Sequence, residues 1–242
     1  MAVFLYRGGY RVWQWSNRDR LFGPDADSYP MSMKARHQYG TVLHREGRFD
    51  EALVHFQAAL KVFNQSALTE YCIAQIYIET GRPLEAKASL ERIFAGHGMG
   101  FGRFNLYALY IDYAFALMMN REYDQAVPHF LQGLGMNEDV PHGLNALGYT
   151  YVQLGRVQEA AEAFQKGLRY DPTNPYLLNN VGVSLLTGGQ LEAGVEHLSR
   201  AVQLEPNVPA FVYNVRLVQQ MAEMNRWPSE KFVLELYYNR GN

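Results

Sequence analysis

An all-α repeat fold is predicted by three sets of residues that recur along the 242-residue chain with a spacing of 34. Gly40, Gly148 and Gly182 share one position, with Leu43, Tyr77, Leu117, Tyr151 and Leu185 three residues beyond it. Ala52, Ala86, Ala126 and Ala160 form the second set, each followed four residues later by Phe56, Leu90, Phe130 or Phe164. Pro172 and Pro206 close the last two units. A period of this length marks a stack in which each unit covers its apolar face with its neighbours. The register divides the chain into five units, 33–66, 67–100, 107–140, 141–174 and 175–208.

Each unit reads as a pair of helices. In the first, Ala35, Tyr39 and Leu43, then Ala52, Leu53, Phe56 and Leu60, follow three- and four-residue spacing, and Glu46-Gly47-Arg48 interrupts them as a polar turn. Gly47, Gly81, Gly155 and Gly189 occupy that turn, where a residue without Cβ ends a helix in the left-handed conformation. The third unit has Asn120-Arg121 instead, and asparagine is the expected substitute. Asp171-Pro172-Thr173-Asn174-Pro175 and Glu205-Pro206-Asn207-Val208-Pro209 stop one helix and preset the next. Pro128 falls inside a second helix, so a kink or a locally broken hydrogen bond is expected there.

Three segments stand outside the array. Residues 1–32 carry Tyr10, Trp13, Trp15, Leu21 and Phe22 and are expected to pack on something. Residues 94–106 form a glycine-rich insertion between the second and third units, and residues 209–242 begin as another first helix and read as a C-terminal cap.

Composition narrows the function. A net charge of −2 and the absence of basic runs disfavour nucleic acid and anionic membrane surfaces as partners. The lone Cys72 cannot form an internal disulfide and is expected between helices. No stretch approaches the roughly 18 to 20 apolar residues of a membrane span, and the opening MAVFLY lacks the build of a secretory signal, so the chain reads as soluble with no direct membrane insertion. Met1 is either a native start or one attached to an excised domain, so the compartment stays open between cytoplasmic and extracytoplasmic.

The seven histidines do not read as a metal site. His55, His129 and His197 share one repeat position and are spread along the stack, and His37 and His44 lie seven residues apart on one helix. Gly96 to Gly102 lacks the strand, helix start and lysine or threonine of a phosphate cradle and reads as an inter-repeat loop. No nucleophile elbow or paired acid and base appears, so no enzymatic activity, cofactor or metal is expected.

The recurring small and bulky positions resemble the tetratricopeptide repeat (TPR) family, over all five units. The resemblance implies a right-handed α-α superhelix in which the second, fifth, ninth and twelfth residues of each first helix line a concave groove. Carried over to this chain, it implies a ligand-binding strip of Tyr71, Gln75, Ile111, Phe115, Asn145, Tyr149, Asn179, Val183 and Tyr213, with Asn180 and Asn214 as further amides. Family members that clamp a chaperone's terminal carboxylate use lysine and arginine on these helices, whereas this chain offers only Lys34 and Arg45 at one end. Apolar and amide groups suit instead a peptide segment or partner protein, its side chains in pockets and its backbone bonded to asparagines. An alternative occupant of the groove is the chain itself, and an exposed apolar groove also admits self-association.

A second resemblance covers about twenty residues. Arg11-Val12-Trp13 through Trp15, Leu21-Phe22 and Tyr29-Pro30-Met31-Ser32 are similar to the junction preceding the C-terminal TPR domain of multi-pass membrane sugar transferases and polymerases. It implies an extracytoplasmic accessory domain that positions a substrate or partner for chemistry done elsewhere. The first expectation is thus a noncatalytic interaction scaffold, and the accessory domain is its rival.

Overall fold

The computed structural model describes residues 32–64, 66–96 and 105–224. Eleven helices fill them: α1 (Met33–Arg45), α2 (Phe49–Val62), α3 (Ala67–Glu79), α4 (Pro83–Phe94), α5 (Leu106–Met119), α6 (Tyr123–Met136), α7 (Pro141–Gln153), α8 (Val157–Tyr170), α9 (Pro175–Thr187), α10 (Leu191–Leu204) and α11 (Pro209–Met224). There is no strand among the described residues. The chain divides into two compact units, Met1–Asn120 and Arg121–Asn242, described in turn. The aromatic N-terminal stretch, most of the glycine-rich insertion and the chain after Met224 lie outside the described residues.

In the first unit the hairpins α1/α2 and α3/α4 are the most closely packed pairs, as a helix–turn–helix repeat requires. Ser32 and Ser66 cap α1 and α3, each accepting the backbone N–H of the third helical residue, Ala35 and Thr69. The core between the hairpins is Leu43, Phe56, Ile73 and Ile76, with Tyr39, Leu60 and Cys72 packed around it. Phe56 is fully buried, a placement that stabilises by about 1.5 to 3 kcal/mol. It can lie there because Gly40 opposes it: a Cβ on that glycine would stand 2.9 Å from the Phe56 ring.

The second unit repeats the scheme. A Cβ on Gly148 would come within 2.5 Å of Phe164, and one on Gly182 within 3.0 Å of Leu198 and of the Gly194 carbonyl oxygen. The shared position therefore has one physical meaning, close helix crossing over a bulky neighbour. Pro141, Pro175 and Pro209 each open a helix, where the missing N–H has no intrahelical bond to make. Helix α6 continues through Pro128, which has no N–H to donate to the helical ladder. α11 continues the alternation after the fifth pair, with Phe211 buried against Leu178 and Ala201.

One turn differs from the sequence reading. Asn120 has φ −77° and stays right-handed, whereas Arg121 has φ +63°. Arg121 is the residue in register with Gly47, Gly81, Gly155 and Gly189, which have φ between +69° and +81°. The turn geometry is set by place in the repeat and overrides the lower intrinsic cost of asparagine.

Three of the five second helices also share a start that the periodicity did not reveal. Arg48, Arg82 and Arg156 stand at the N-cap of α2, α4 and α8 and donate to Glu51, Glu85 and Glu159 in the first turn. The guanidiniums hold these carboxyls below the usual carboxylate range. Arg82 and Arg156 also lie over the rings of Tyr77 and Tyr151, at 4.5 Å from each centroid.

Candidate functional site

The first helices of the pairs carry every residue of the expected ligand strip. In the first unit these are α1, α3 and α5. Lys34 is exposed, and His37 places Nδ1 3.0 Å from the Thr69 hydroxyl while its ring meets Phe56. Burial pushes the His37 imidazole below its ordinary range. His44 Nε2 lies 3.0 Å from Glu79 Oε2. The Tyr71 hydroxyl donates to Asp112 Oδ2 at 2.7 Å, and Gln75 Nε2 reaches the same oxygen at 3.5 Å. Tyr71 and Gln75 are half-buried. Ile111 and Phe115, at 1% and 2% exposure, are core residues of α5.

In the second unit the first helices are α7 and α9, with α11 continuing them. Here the asparagines form a buried ladder. Asn214 Nδ2 donates to Asn179 Oδ1 at 2.8 Å, Asn179 Nδ2 to Asn180 Oδ1 at 3.0 Å, and Asn180 Nδ2 to Asn145 Oδ1 at 2.7 Å. All four are buried. The expected task for these amides was to bond a ligand's backbone; in the structure they bond one another, and a ligand would reach them only by opening the helix packing. Val183 is likewise buried, against Leu186 and Leu198. Tyr149 and Tyr213 remain half-buried on the same face, with Tyr176 and Val152.

The rungs obey a rule. Asn145 and Asn179 are the fifth residues of their units, and Asn180 and Asn214 the sixth residues of the next, so each partner lies 35 residues on. Tyr71 and Asp112 occupy the same fifth and sixth positions in the first unit, 41 residues apart because of the insertion. The recurrence of asparagine near multiples of 34 was the available signal. Burial alone decides whether such amides face a ligand or each other.

The second helices present another surface in the second unit. A cleft of about 580 Å³ lies between α6 and α8 over Leu144, Leu147 and Tyr151 of α7. One repeat further, a furrow of about 420 Å³ lies between α8 and α10 over Val181 and Leu185 of α9. Among the described residues no three His, Cys, Asp or Glu side chains gather as a metal ion would need, and no helix is long and apolar enough to cross a membrane.

Comparison with known proteins agrees with this architecture. Family models described as tetratricopeptide repeat match residues 43–97, 114–175 and 145–209, together more than half of the chain. These matches do not extend into residues 11–32, and none of them bears on the expected resemblance to a membrane transferase junction. No curated protein sequence gives a significant match. Among solved structures, the chain is similar to YrrB, a TPR protein with an unusual peptide-binding site, at 19% identity and a TM-score of 0.62, over 81% of this chain and 98% of that one. It is also similar to PilF of Pseudomonas aeruginosa, at 18% identity and a TM-score of 0.64, over 80% and 86% of the two chains. A third likeness is to residues 41 to the end of MamA from Desulfovibrio magneticus RS-1, at 16% identity and a TM-score of 0.62, over 73% and 97%. At such identities the likeness concerns the fold, and the fold is matched by 285 solved chains, so it selects no particular partner. The helix pairs, the glycine crossings and the matched repeat models together place the chain in the tetratricopeptide repeat family.

Proposed function

We propose that this protein is a noncatalytic scaffold that holds a peptide segment or a partner protein on the face of its first helices. The observation that carries the reading is the division of labour on that face. Polar groups at the fifth and sixth positions, Tyr71 among them, tie adjacent first helices together, and half-buried side chains lie beside them: Gln75 in the first unit, Tyr149 and Tyr213 in the second. A rigid bed with partly exposed aromatics suits side-chain anchoring, because a tyrosine contributes large contact area with little conformational freedom to lose. YrrB, which shares the fold, is a TPR protein with a peptide-binding site. The ligand's backbone is not held by Asn145 or Asn179 in this reading; those amides support the bed.

A photo-crosslinking residue placed at Tyr149 and at Tyr213 in separate variants, expressed in the native cells, is expected to capture one protein in common. Alanine at either tyrosine is then expected to weaken binding of that protein by about 1 to 3 kcal/mol in calorimetry. Unchanged affinity in both variants, with helicity intact by circular dichroism, overturns the assignment of this face.

A further inference from the structure

The furrow between α8 and α10 is unlike the cleft one repeat before it in charge. The α6/α8 cleft carries both signs, with Glu138, Glu159 and Glu162 facing Lys166 and Arg169. The α8/α10 furrow has no carboxylate in its lining; its polar rim is Gln165, Arg169 and His197, over an apolar floor that includes Val181, Leu185 and Ala193. Arg169 is exposed and lines the α6/α8 cleft as well as this furrow. His197 is oriented by its own helix: Nδ1 lies 2.8 Å from the Ala193 carbonyl oxygen, so that nitrogen carries the proton and donates it.

We infer that this furrow is a second docking surface, for an amphipathic helix of a partner protein that sets leucine-like side chains on Leu185 and Ala193, above the buried Val181, and turns a carboxylate toward Arg169. The walls are two helices and the floor is a third, a geometry in which a helix lies along a groove and anchors through residues on one face. Charge complementarity chooses the occupant. A basic helix would meet Arg169 with like charge, and a helix without an acid would leave the rim unused. This surface belongs to α8, α9 and α10 and is separate from Tyr149 and Tyr213, so a scaffold using both holds two partners at once.

The test uses two fluorescein-labelled, helix-stapled peptides with leucines at i, i+3 and i+7, identical except for one glutamate or lysine beyond the last leucine. In fluorescence anisotropy with the full chain, the glutamate peptide is expected to saturate and to bind about fivefold tighter than the lysine peptide. Arg169→Glu, at an exposed position, is expected to invert that preference, and Ala193→Leu, which fills the furrow, to abolish saturation by either peptide. Equal binding of the two peptides, or a preference that persists in Arg169→Glu, overturns the proposal even if Ala193→Leu proves poorly folded. Sedimentation that shows a dimer of the wild type dissolved by Ala193→Leu also overturns it, since the occupant would then be a second copy of this chain.

Discussion

At the scale of single residues, the repeat is written in what glycine makes possible, and two glycines separate the reasons. Gly148 lies in a helix interior with the Phe164 ring where a Cβ would go, whereas Gly135 is exposed with nothing within 4 Å of such an atom. Alanine at Gly135 is therefore expected to stabilise the chain by about 0.5 to 1 kcal/mol through helix propensity alone. Alanine at Gly148 gains the same propensity and forces the aromatic ring aside, for a net loss of about 1 to 3 kcal/mol. Urea denaturation of the two variants reads the opposite signs directly, and a stabilised Gly148→Ala would contradict the crossing described above. Sequence reasoning reached Gly148 because its partner Phe164 recurs in register with it. It misjudged Asn120-Arg121 because a residue preference was weighed there above the register, which already marked Arg121.

Single elements depend on the buried amides. The chain's asparagines were legible as a pattern on the first helices, and their spacing was visible; their direction was not. An amide on a helix face is equally able to meet a ligand or the next helix, and only the packing distance decides. In the structure Asn180 joins α9 to α7 and, through Asn179, to α11. Replacing it by alanine leaves the Asn145 oxygen and the Asn179 amide buried without that bond, at about 1 to 3 kcal/mol for each group. Asn180→Ala is thus expected to cost about 2 to 6 kcal/mol. A double-mutant cycle with Asn145→Ala, followed by urea denaturation, is expected to show coupling of about 0.5 to 3 kcal/mol between the two sites. Additive losses would mean that the rung does not tie the helices.

For the whole molecule, the charges leave no net field to steer a partner, yet they set the response to acid. Burial lowers the His37 and His129 imidazoles, so the folded chain resists taking up protons that the unfolded chain accepts below about pH 6.5. Stability is then fully present above that pH and falls as the medium is acidified toward the lowered folded values. A second loss follows below about pH 4.5, where Glu51, Glu85, Glu138 and Glu159, each depressed by a basic partner, are protonated. Urea midpoints measured from pH 8 to pH 5 are expected to fall only in the lower half of that range. His37→Gln, which keeps a group able to meet Thr69, is expected to remove part of the fall; a midpoint independent of pH across the range would show that the imidazoles titrate normally.

The rung rule bears finally on how an array of this kind can lengthen. Asn179 and Asn180 sit side by side, so the repeat 175–208 carries both halves of a rung, one for the helix before it and one for the helix after it. A tandem duplication of those 34 residues would set the sixth-position amide of the new copy against the fifth-position amide of the old one and pass the old partnership with Asn214 to the new Asn179. Growth by gene duplication at this repeat therefore leaves no buried amide orphaned, while duplication of 141–174 would bring Ala146 opposite Asn145 and strand an amide at the junction. The fifth unit is the one from which a longer relative of this chain could arise in a single genetic step.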